Sequence, residues 1–257
     1  MNNVLVCIPA RYASSRLPGK PLLKINNKSI LEHVYLNALK IKDIHNDNII
    51  ILTDNNKIYE EVQNFGGNCY ISKQECLNGS VRILNYLKEK NIEIPFILNI
   101  QGDEPFFDIK KVEQLIEDYK RRHHYNDHIK CGTLYYKSQD YNYIQSKNKV
   151  KLIINQQNFI NYGSRNIIPA LKNNEDLNKI IINYCIHIGI FIFERKYLLE
   201  EYKTGKSYIQ DIEDLEWLKI LDQDYKIYAL ETKVHEVGVD TIEDYQYLKN
   251  KYEVIKN

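Results

Sequence analysis

Val4-Leu5-Val6-Cys7-Ile8-Pro9-Ala10-Arg11-Tyr12-Ala13-Ser14-Ser15-Arg16-Leu17-Pro18-Gly19-Lys20-Pro21 opens the chain with an apolar run that breaks into a basic loop. The run predicts a strand over Asn3 to Pro9. The loop then carries three cations (Arg11, Arg16, Lys20), two hydroxyls (Ser14, Ser15) and a Pro-Gly turn. That is the chemistry of a polyphosphate cradle. A solvated surface loop has the same composition, but this one sits at the carboxyl end of the first strand, where open α/β sheets bind ligands. No Gly-x-x-x-x-Gly-Lys-Ser/Thr or Gly-x-Gly-x-x-Gly pattern occurs, so Lys20 is not read as a P-loop lysine.

Outward from this stretch the periods alternate. Ser29 to Glu32 has the form of a capping box, and Ile30, Val34 and Ala38 give an apolar stripe at helical spacing to about Ile41. Asn48 to Leu52 and Pro95 to Ile100 are continuous apolar runs, as expected of parallel strands covered on both faces. Asp54 is the expected N-cap of a helix from about Lys57 to Phe65, stopped by Gly66-Gly67. A short strand at Asn68 to Ser72, a helix from Val81 to about Lys90 and a helix from about Ile109 to Arg121 complete a β-α repeat. The fold class is α/β, with a parallel sheet layered by helices. The pattern then changes. Lys130 to Lys137, Val150 to Asn155, Phe159 to Arg165 and Tyr184 to Phe193 read as strands without regular helices between them, and Pro169 to Lys179 as a loop. Residues 130–193 are thus a β-rich excursion, a candidate oligomerisation surface within one domain spanning 1–257. A helix from about Asp211 to Leu221, a strand at Ile227 to Leu230 and a final helix to about Tyr252 follow. The last helix is introduced by Glu236 to Asp240 and a second capping-box form at Thr241 to Asp244.

With 257 residues and a net charge of +1, the chain has ample length for a core and no global field that calls for nucleic acid or a membrane surface. No apolar run reaches the length of a membrane span, and the early first strand leaves no room for a signal peptide, so a cytoplasmic location is expected. The five cysteines (Cys7, Cys69, Cys76, Cys131, Cys185) show no Cys-x-x-Cys spacing and read as structural thiols.

Three loops follow predicted strands: the basic loop, Gln101-Gly102-Asp103-Glu104-Pro105, and Gly238-Val239-Asp240-Thr241. Asp103 ends a fully apolar strand, where it suits a ligand crevice better than a core. Asp240 precedes a helix, so capping alone would account for it. Taken together, two carboxylates and three cations point to a Mg²⁺–polyphosphate site, because Mg²⁺ takes one or two carboxylates plus phosphate oxygens and water. Such a site stabilises charge as an α-phosphate is attacked and pyrophosphate leaves.

The chain resembles the CMP-KDO synthetases (3-deoxy-manno-octulosonate cytidylyltransferases). The resemblance rests on Ile8 to Leu22 (IPARYASSRLPGKPL), Asn99 to Pro105 (NIQGDEP), Val150 to Ile154 (VKLII), Tyr162 to Pro169 (YGSRNIIP), His187 to Phe191 (HIGIF), Leu215 to Leu221 (LEWLKIL) and Gly238 to Asp244 (GVDTIED). These segments fall in order and span essentially the whole chain; the first is the most specific. The resemblance implies a three-layer αβα, Rossmann-like nucleotide domain with a β arm that builds a homodimer. It also implies transfer of CMP from CTP to an acidic eight-carbon sugar, with release of pyrophosphate and Mg²⁺ as cofactor. By the same resemblance Ala10, Arg11 and Lys20 contact CTP, with Lys20 and Arg16 on its phosphates, and Ser80 belongs to the nucleotide side. Arg82 and Gln101 line the nucleotide–sugar boundary, and Asp103 and Asp240 hold magnesium. Arg165, His187 and Glu216 face the acceptor. Lys20, Asp103 and Asp240 are the expected catalytic set. On residue chemistry alone, Arg165 suits a carboxylate because guanidinium pairs with it bidentately, whereas a histidine in an apolar strand such as His187 is as often a core residue.

Four positions depart from the family pattern. Cys76 stands where the family usually has His, Val81 where it has an acidic residue, Gly163 where an aromatic residue is common, and Trp217 where it has a polar amide. These positions flank the expected acceptor side, so the alternatives are a cytidylyltransferase for amino-KDO, a nonulosonic acid or a phosphorylated small molecule, or a silent nucleotide-binding relative.

Overall fold

The computed structural model describes residues 3–13, 16–72, 76, 78–170, 183–202, 207–233 and 237–253. The hydroxyls of Ser14 and Ser15, most of the loop expected at Pro169 to Lys179, and Glu236 lie outside the described residues.

In chain order the elements are β1 (Val4–Pro9), the two-residue strands β2 (Lys24–Ile25) and β3 (Lys28–Ser29), α1 (Ile30–Ala38), β4 (Ile49–Thr53), α2 (Asn56–Asn64), β5 (Cys69–Ile71), α3 (Gly79–Glu89), β6 (Phe96–Ile100) and α4 (Ile109–Tyr125). They continue with β7 (Ile129–Ser138), α5 (Tyr141–Gln145), β8 (Lys151–Ile154), β9 (Ile160–Ser164), β10 (Tyr184–Glu194), α6 (Arg195–Tyr197), α7 (Tyr208–Glu213), α8 (Leu218–Asp222), β11 (Lys226–Glu231) and α9 (Ile242–Glu253). The main sheet runs β11-β7-β10-β6-β1-β4-β5. Within it β10 alone runs antiparallel to its neighbours β6 and β7, and the other pairings are parallel.

β1 shows why its sequence is apolar throughout. Val4, Val6 and Ile8 pack into a core with Val34, Ile58, Leu115 and Tyr119 from α1, α2 and α4. Leu5 and Cys7 face a second core with Ile83, Leu84, Leu87 and Ile220 from α3 and α8. Both faces are covered, which gives three layers, αβα. All five cysteines are free, and burial raises the Cys7 thiol far above its usual range. No described helix is long and apolar enough to cross a membrane.

Chain order moves from β1 outward through β4 to β5 and then returns to the other side of β1 with β6. The carboxyl ends of β1 and β6 therefore flank the topological switch point, where such sheets open a crevice. Of the four strands in 130–193, β7 and β10 are full members of the main sheet, while β8 and β9 form a hairpin attached through β8 to β10.

Two local expectations are corrected. Asp54 does not cap α2; Asn55 does, accepting from the Lys57 amide, and Asp54 is turned to Arg82 instead. The helix expected over Asp211 to Leu221 is two helices, α7 and α8, because Asp214 adopts a left-handed conformation (φ 50°) that ends the first. The break releases the last carbonyls of α7, and the Arg165 guanidinium takes those of Glu213 (2.8 Å) and Asp214 (2.9 Å).

Candidate active site

The basic loop folds back on itself. Gly19, at φ 71°, donates its amide to the Tyr12 carbonyl (3.0 Å) and starts the short turn Lys20–Leu22. The turn carries Lys20 inward, where only 9% of it is exposed. Its ammonium lies 2.5 Å from Asp103 Oδ2 and 3.9 Å from Asp240 Oδ1. Asp103 leaves the end of β6, and its carbonyl accepts the Val239 amide (2.9 Å), which stitches the two carboxylate loops together. A reciprocal capping box holds Asp240. Thr241 Oγ1 accepts the Asp244 amide, and Asp244 Oδ2 accepts the amides of Asp240 and Thr241. Arg16 stands 3.8 Å from Asp240 and bonds Asn148. Gly102 lets the β6 loop press on β1: a Cβ there would lie 3.1 Å from the Pro9 carbonyl.

Two charged side chains beside this set were given no role in the sequence reading. Lys149, in the turn before β8, donates to Asp240 Oδ2 (3.2 Å) and lies 3.9 Å from Asp244. Glu104 lies behind Asp103 and accepts the Gly189 amide (3.2 Å). Burial, joined by Asp103, pushes its carboxyl up to about 8. It fits between two glycines. A Cβ on Gly238 would meet Glu104 Oε1 at 2.9 Å, and one on Gly189 would meet Gln101 Cγ at 2.8 Å. Gly189 lies where β10 shifts register against β7, and its carbonyl takes the Gln101 amide (3.0 Å), so an irregular strand seats the Gln101–Glu104 turn.

Five of the nucleotide-side candidates, Ala10, Arg11, Arg16, Arg82 and Gln101, line a cleft of about 530 Å³, whereas Lys20 and Ser80 are not among its lining residues. Arg82 is buried on α3. Its Nη2 pairs with Asp54 (2.6 Å), and its Nη1 is buried without a hydrogen-bond partner. A buried guanidinium nitrogen in that state calls for a partner, and a ligand group in the cleft that Arg82 lines would supply one. Ser80 is buried in the first turn of α3, and its amide donates to Glu216 Oε2 (3.0 Å). Burial raises the Glu216 carboxyl, while Ser80 and the charge of Arg11 draw it back.

Arg165, His187 and Glu216 line the same cleft, and Arg165 and His187 also line an adjoining one of about 180 Å³ with Asp103 and Asp240. The Arg165 guanidinium is committed to the α7 carbonyls and to the Lys147 carbonyl (3.1 Å). His187 Nε2 bonds Thr133 Oγ1 (3.0 Å), and burial holds the imidazole down to about 3, so it is neutral. Beneath them Lys151, fully buried, gives its ammonium to the carbonyls of Ser146 (2.9 Å), Lys149 (2.7 Å) and Arg165. This third residue missed by the sequence reading ties the Lys149 turn to the Arg165 strand.

Among the described residues no group of three or more His, Cys, Asp or Glu side chains is arranged to hold a metal. Asp103 and Asp240 are a pair of hard carboxylates already gathered about one ammonium. That donor set is short of a metal cage and fits a divalent cation whose remaining ligands are phosphate oxygens and water.

Residues 5–232 match the family described as Cytidylyltransferase. The chain is 37% identical over 243 residues to the 3-deoxy-manno-octulosonate cytidylyltransferase of Fusobacterium nucleatum, covering 95% of this chain and 94% of that protein. It is 32% identical to the 8-amino-3,8-dideoxy-manno-octulosonate cytidylyltransferase of Shewanella baltica, covering 94% and 95%. Among solved structures it resembles CMP:2-keto-3-deoxy-manno-octonic acid synthetase complexed with CTP, with a TM-score of 0.83, 28% identity, and coverage of 98% of this chain and 99% of that one.

Proposed function

The chain belongs to the 3-deoxy-manno-octulosonate cytidylyltransferase family, and we propose that it transfers CMP from CTP to the anomeric hydroxyl of 3-deoxy-manno-octulosonate, releasing pyrophosphate. The observation that carries this reading is Lys20 held between Asp103 and Asp240 at the switch point, with Arg16 beside Asp240 and lining, with Arg11 and Arg82, the larger cleft.

The residues divide the work. Lys20 and Arg16 leave the carboxylates for triphosphate oxygens and neutralise the departing pyrophosphate. Arg82 keeps Asp54 on one nitrogen and offers its unpartnered Nη1 to the nucleotide. Asp103 and Asp240 would hold Mg²⁺, which would polarise the α-phosphate and offset the charge that builds on it. A carboxylate beside the acceptor takes the anomeric proton as the hydroxyl attacks phosphorus; Asp103 lines the smaller cleft, which shares Arg16, Gln101, Arg165 and His187 with the larger one. Gln101 orients the sugar against the nucleotide. Glu216 and the neutral His187 bound the acceptor side.

A second acceptor is supported by composition. Asp211, Asp214 and Glu216 line the larger cleft, which suits an ammonium group such as that of an 8-amino sugar acid. One experiment tests both. The protein is incubated with CTP, Mg²⁺ and either sugar acid, pyrophosphate is measured, and the CMP-sugar is identified by mass. Release with neither acid would overturn the assignment.

We further read residues 1–257 as one nucleotidyltransferase domain, because both cores share the same sheet. The 130–193 segment, through the β8–β9 hairpin outside the main path, is the proposed contact of a homodimer, which light scattering would test. The use of CTP supports a cytoplasmic location.

A further inference from the structure

In the ring form of a 2-keto sugar acid such as 3-deoxy-manno-octulosonate, the carboxylate sits on the anomeric carbon, beside the hydroxyl that attacks. A cation that receives this carboxylate therefore has to stand next to Asp103 and Asp240. The smaller cleft contains that pair, and among the described residues three cations line it: Arg16, Lys149 and Arg165. The sequence pointed to Arg165, but its Nε, Nη1 and Nη2 donate to the carbonyls of Glu213, Lys147 and Asp214, so it braces the end of α7. Arg16 also lines the larger cleft and serves the triphosphate in the function above. Lys149 is left, and it is in the right place. Its side chain is mostly buried, and its ammonium stands 3.2 Å from Asp240 Oδ2, 3.5 Å from the Gly238 carbonyl and 3.9 Å from Asp244 Oδ2. The turn beneath it is held from three sides. The Lys149 amide donates to the Ser146 carbonyl (3.2 Å), the Lys149 carbonyl accepts the buried ammonium of Lys151 (2.7 Å), and the Val150 carbonyl accepts the His187 amide (2.9 Å).

We propose that Lys149 is the specificity-determining cation of the acceptor site and donates to the carboxylate of the sugar acid. The proposal deepens the acceptor assignment above and rests on it. Two carboxylates, Asp240 and Asp244, now face the ammonium. When Asp240 serves a divalent cation, one of them is drawn off and the ammonium has a donor to spare. An ammonium has three donors on a flexible stem, so it keeps Asp244 and the Gly238 carbonyl while the third turns to the substrate. A carboxylate received there places the hydroxyl on the same carbon beside Asp103, where its proton is taken.

The experiment uses whichever of the two sugar acids the wild-type protein turns over, and compares it with its C1 amide, which keeps the shape and loses the charge. Binding of each to protein loaded with Mg²⁺ and α,β-methylene-CTP is measured by calorimetry, for wild type and for Lys149→Met. KM values for the acid and for CTP are measured in parallel. Wild type should prefer the acid to the amide by about 10- to 100-fold, the scale of one hydrogen bond to a charged group. Lys149→Met should bind the acid more weakly by the same factor, with the acceptor KM raised alongside, and should bind acid and amide within about threefold of each other. The CTP KM should stay within about threefold of wild type. A variant that keeps the wild-type preference for the acid overturns the proposal and leaves the function standing, because the carboxylate would then sit on the metal or on Arg165. A wild-type protein that makes the CMP-sugar without preferring acid to amide overturns it as well. So does a variant that no longer binds the CTP analogue, since Lys149 would then be a brace for Asp240. If the wild-type protein makes no CMP-sugar from either acid, the function itself fails, and the role of Lys149 with it.

Discussion

The two halves of the cleft are held in place by opposite means. On the donor half, Lys20, Arg16 and Lys149 are set against Asp103 and Asp240 across loops, with side chains of both carboxylates about a quarter exposed (28% and 23%). On the acceptor half, Trp217, His187 and Gly163 are fixed by packing, and the polar groups behind them are buried on Lys151. Charges that neutralise one another are already placed for a triphosphate and a cation, so removing one should strike chemistry and spare the fold. Rings and a buried ammonium belong to the core, so removing one should strike both.

The sharpest test of the first half is Asp103→Asn. It keeps the shape of the turn and removes one of the two carboxylates that hold Lys20. Turnover should fall by about 10³-fold or more, the scale of losing a preorganised charge at a phosphoryl centre. The thermal midpoint should stay within about 3 °C, because the ion pair is partly solvated. Pyrophosphate release and a melting curve on the same sample decide it. Wild-type turnover would remove Asp103 from the metal set.

Lys151→Met is the counterpart on the second half. The three carbonyls that accept from the ammonium would be left buried without a donor, a cost of roughly 3 kcal/mol for one lost hub. Urea unfolding should show it, and the acceptor KM should rise with it as the Lys149 turn and Arg165 separate. A variant as stable as wild type would mean that the acceptor half is not locked from behind, and the contrast between the halves would fail.

The same contrast explains what was legible in the sequence. Nine strands were readable because a strand buried on both faces, such as β6, is apolar throughout, and because breaks such as Gly66-Gly67 are local. The donor site was readable because its charges lie within short segments that follow those strands. The break between α7 and α8 was not, since it depends on Asp214 turning left-handed to present carbonyls to Arg165, 49 residues away. Nor was the role of Asp54, which looks like a cap until α3 brings Arg82 to it. Gly163 and Trp217 each stood out as a departure. Only three-dimensional proximity shows that one glycine makes the room the other side chain fills. Glu104 was quoted within its motif but given no role, because a carboxylate raised to about 8 depends on the walls around it.

Acid should separate the halves more gently. Burial keeps His187 neutral, with its folded value lowered to about 3 against an ordinary value of 6.5. Below pH 6.5 the unfolded chain takes up a proton that the folded chain refuses. This residue's contribution to stability is thus present above that pH and lost as pH falls toward 3, with a slope of at most about 1.4 kcal/mol per pH unit. His187→Asn should flatten the loss of stability between pH 6.5 and 4 relative to wild type. Parallel curves would place the acid sensitivity elsewhere.

The smallest expected effect is at the boundary between the halves. Lys149 rises from the turn that Lys151 anchors, and its ammonium lies 3.2 Å from the carboxylate of Asp240. A divalent cation entering between Asp103 and Asp240 must draw Asp240 away from that ammonium and meets its repulsion. Lys149→Met removes the competitor and leaves Asp240 with Asp244 as its acidic neighbour, so the pair should attract a cation more strongly. The pair with Lys149 is partly screened, and pairs of that kind are worth about 0.2–1 kcal/mol, which corresponds to a gain of roughly 1.4- to 5-fold in affinity. Titration with Mn²⁺ followed by electron paramagnetic resonance measures this without turnover. Tighter binding in the variant makes Lys149 the internal competitor that a metal displaces. Weaker binding would mean instead that Lys149 holds Asp240 in the geometry the metal needs, and the donor half would then depend on the packed half through Lys151.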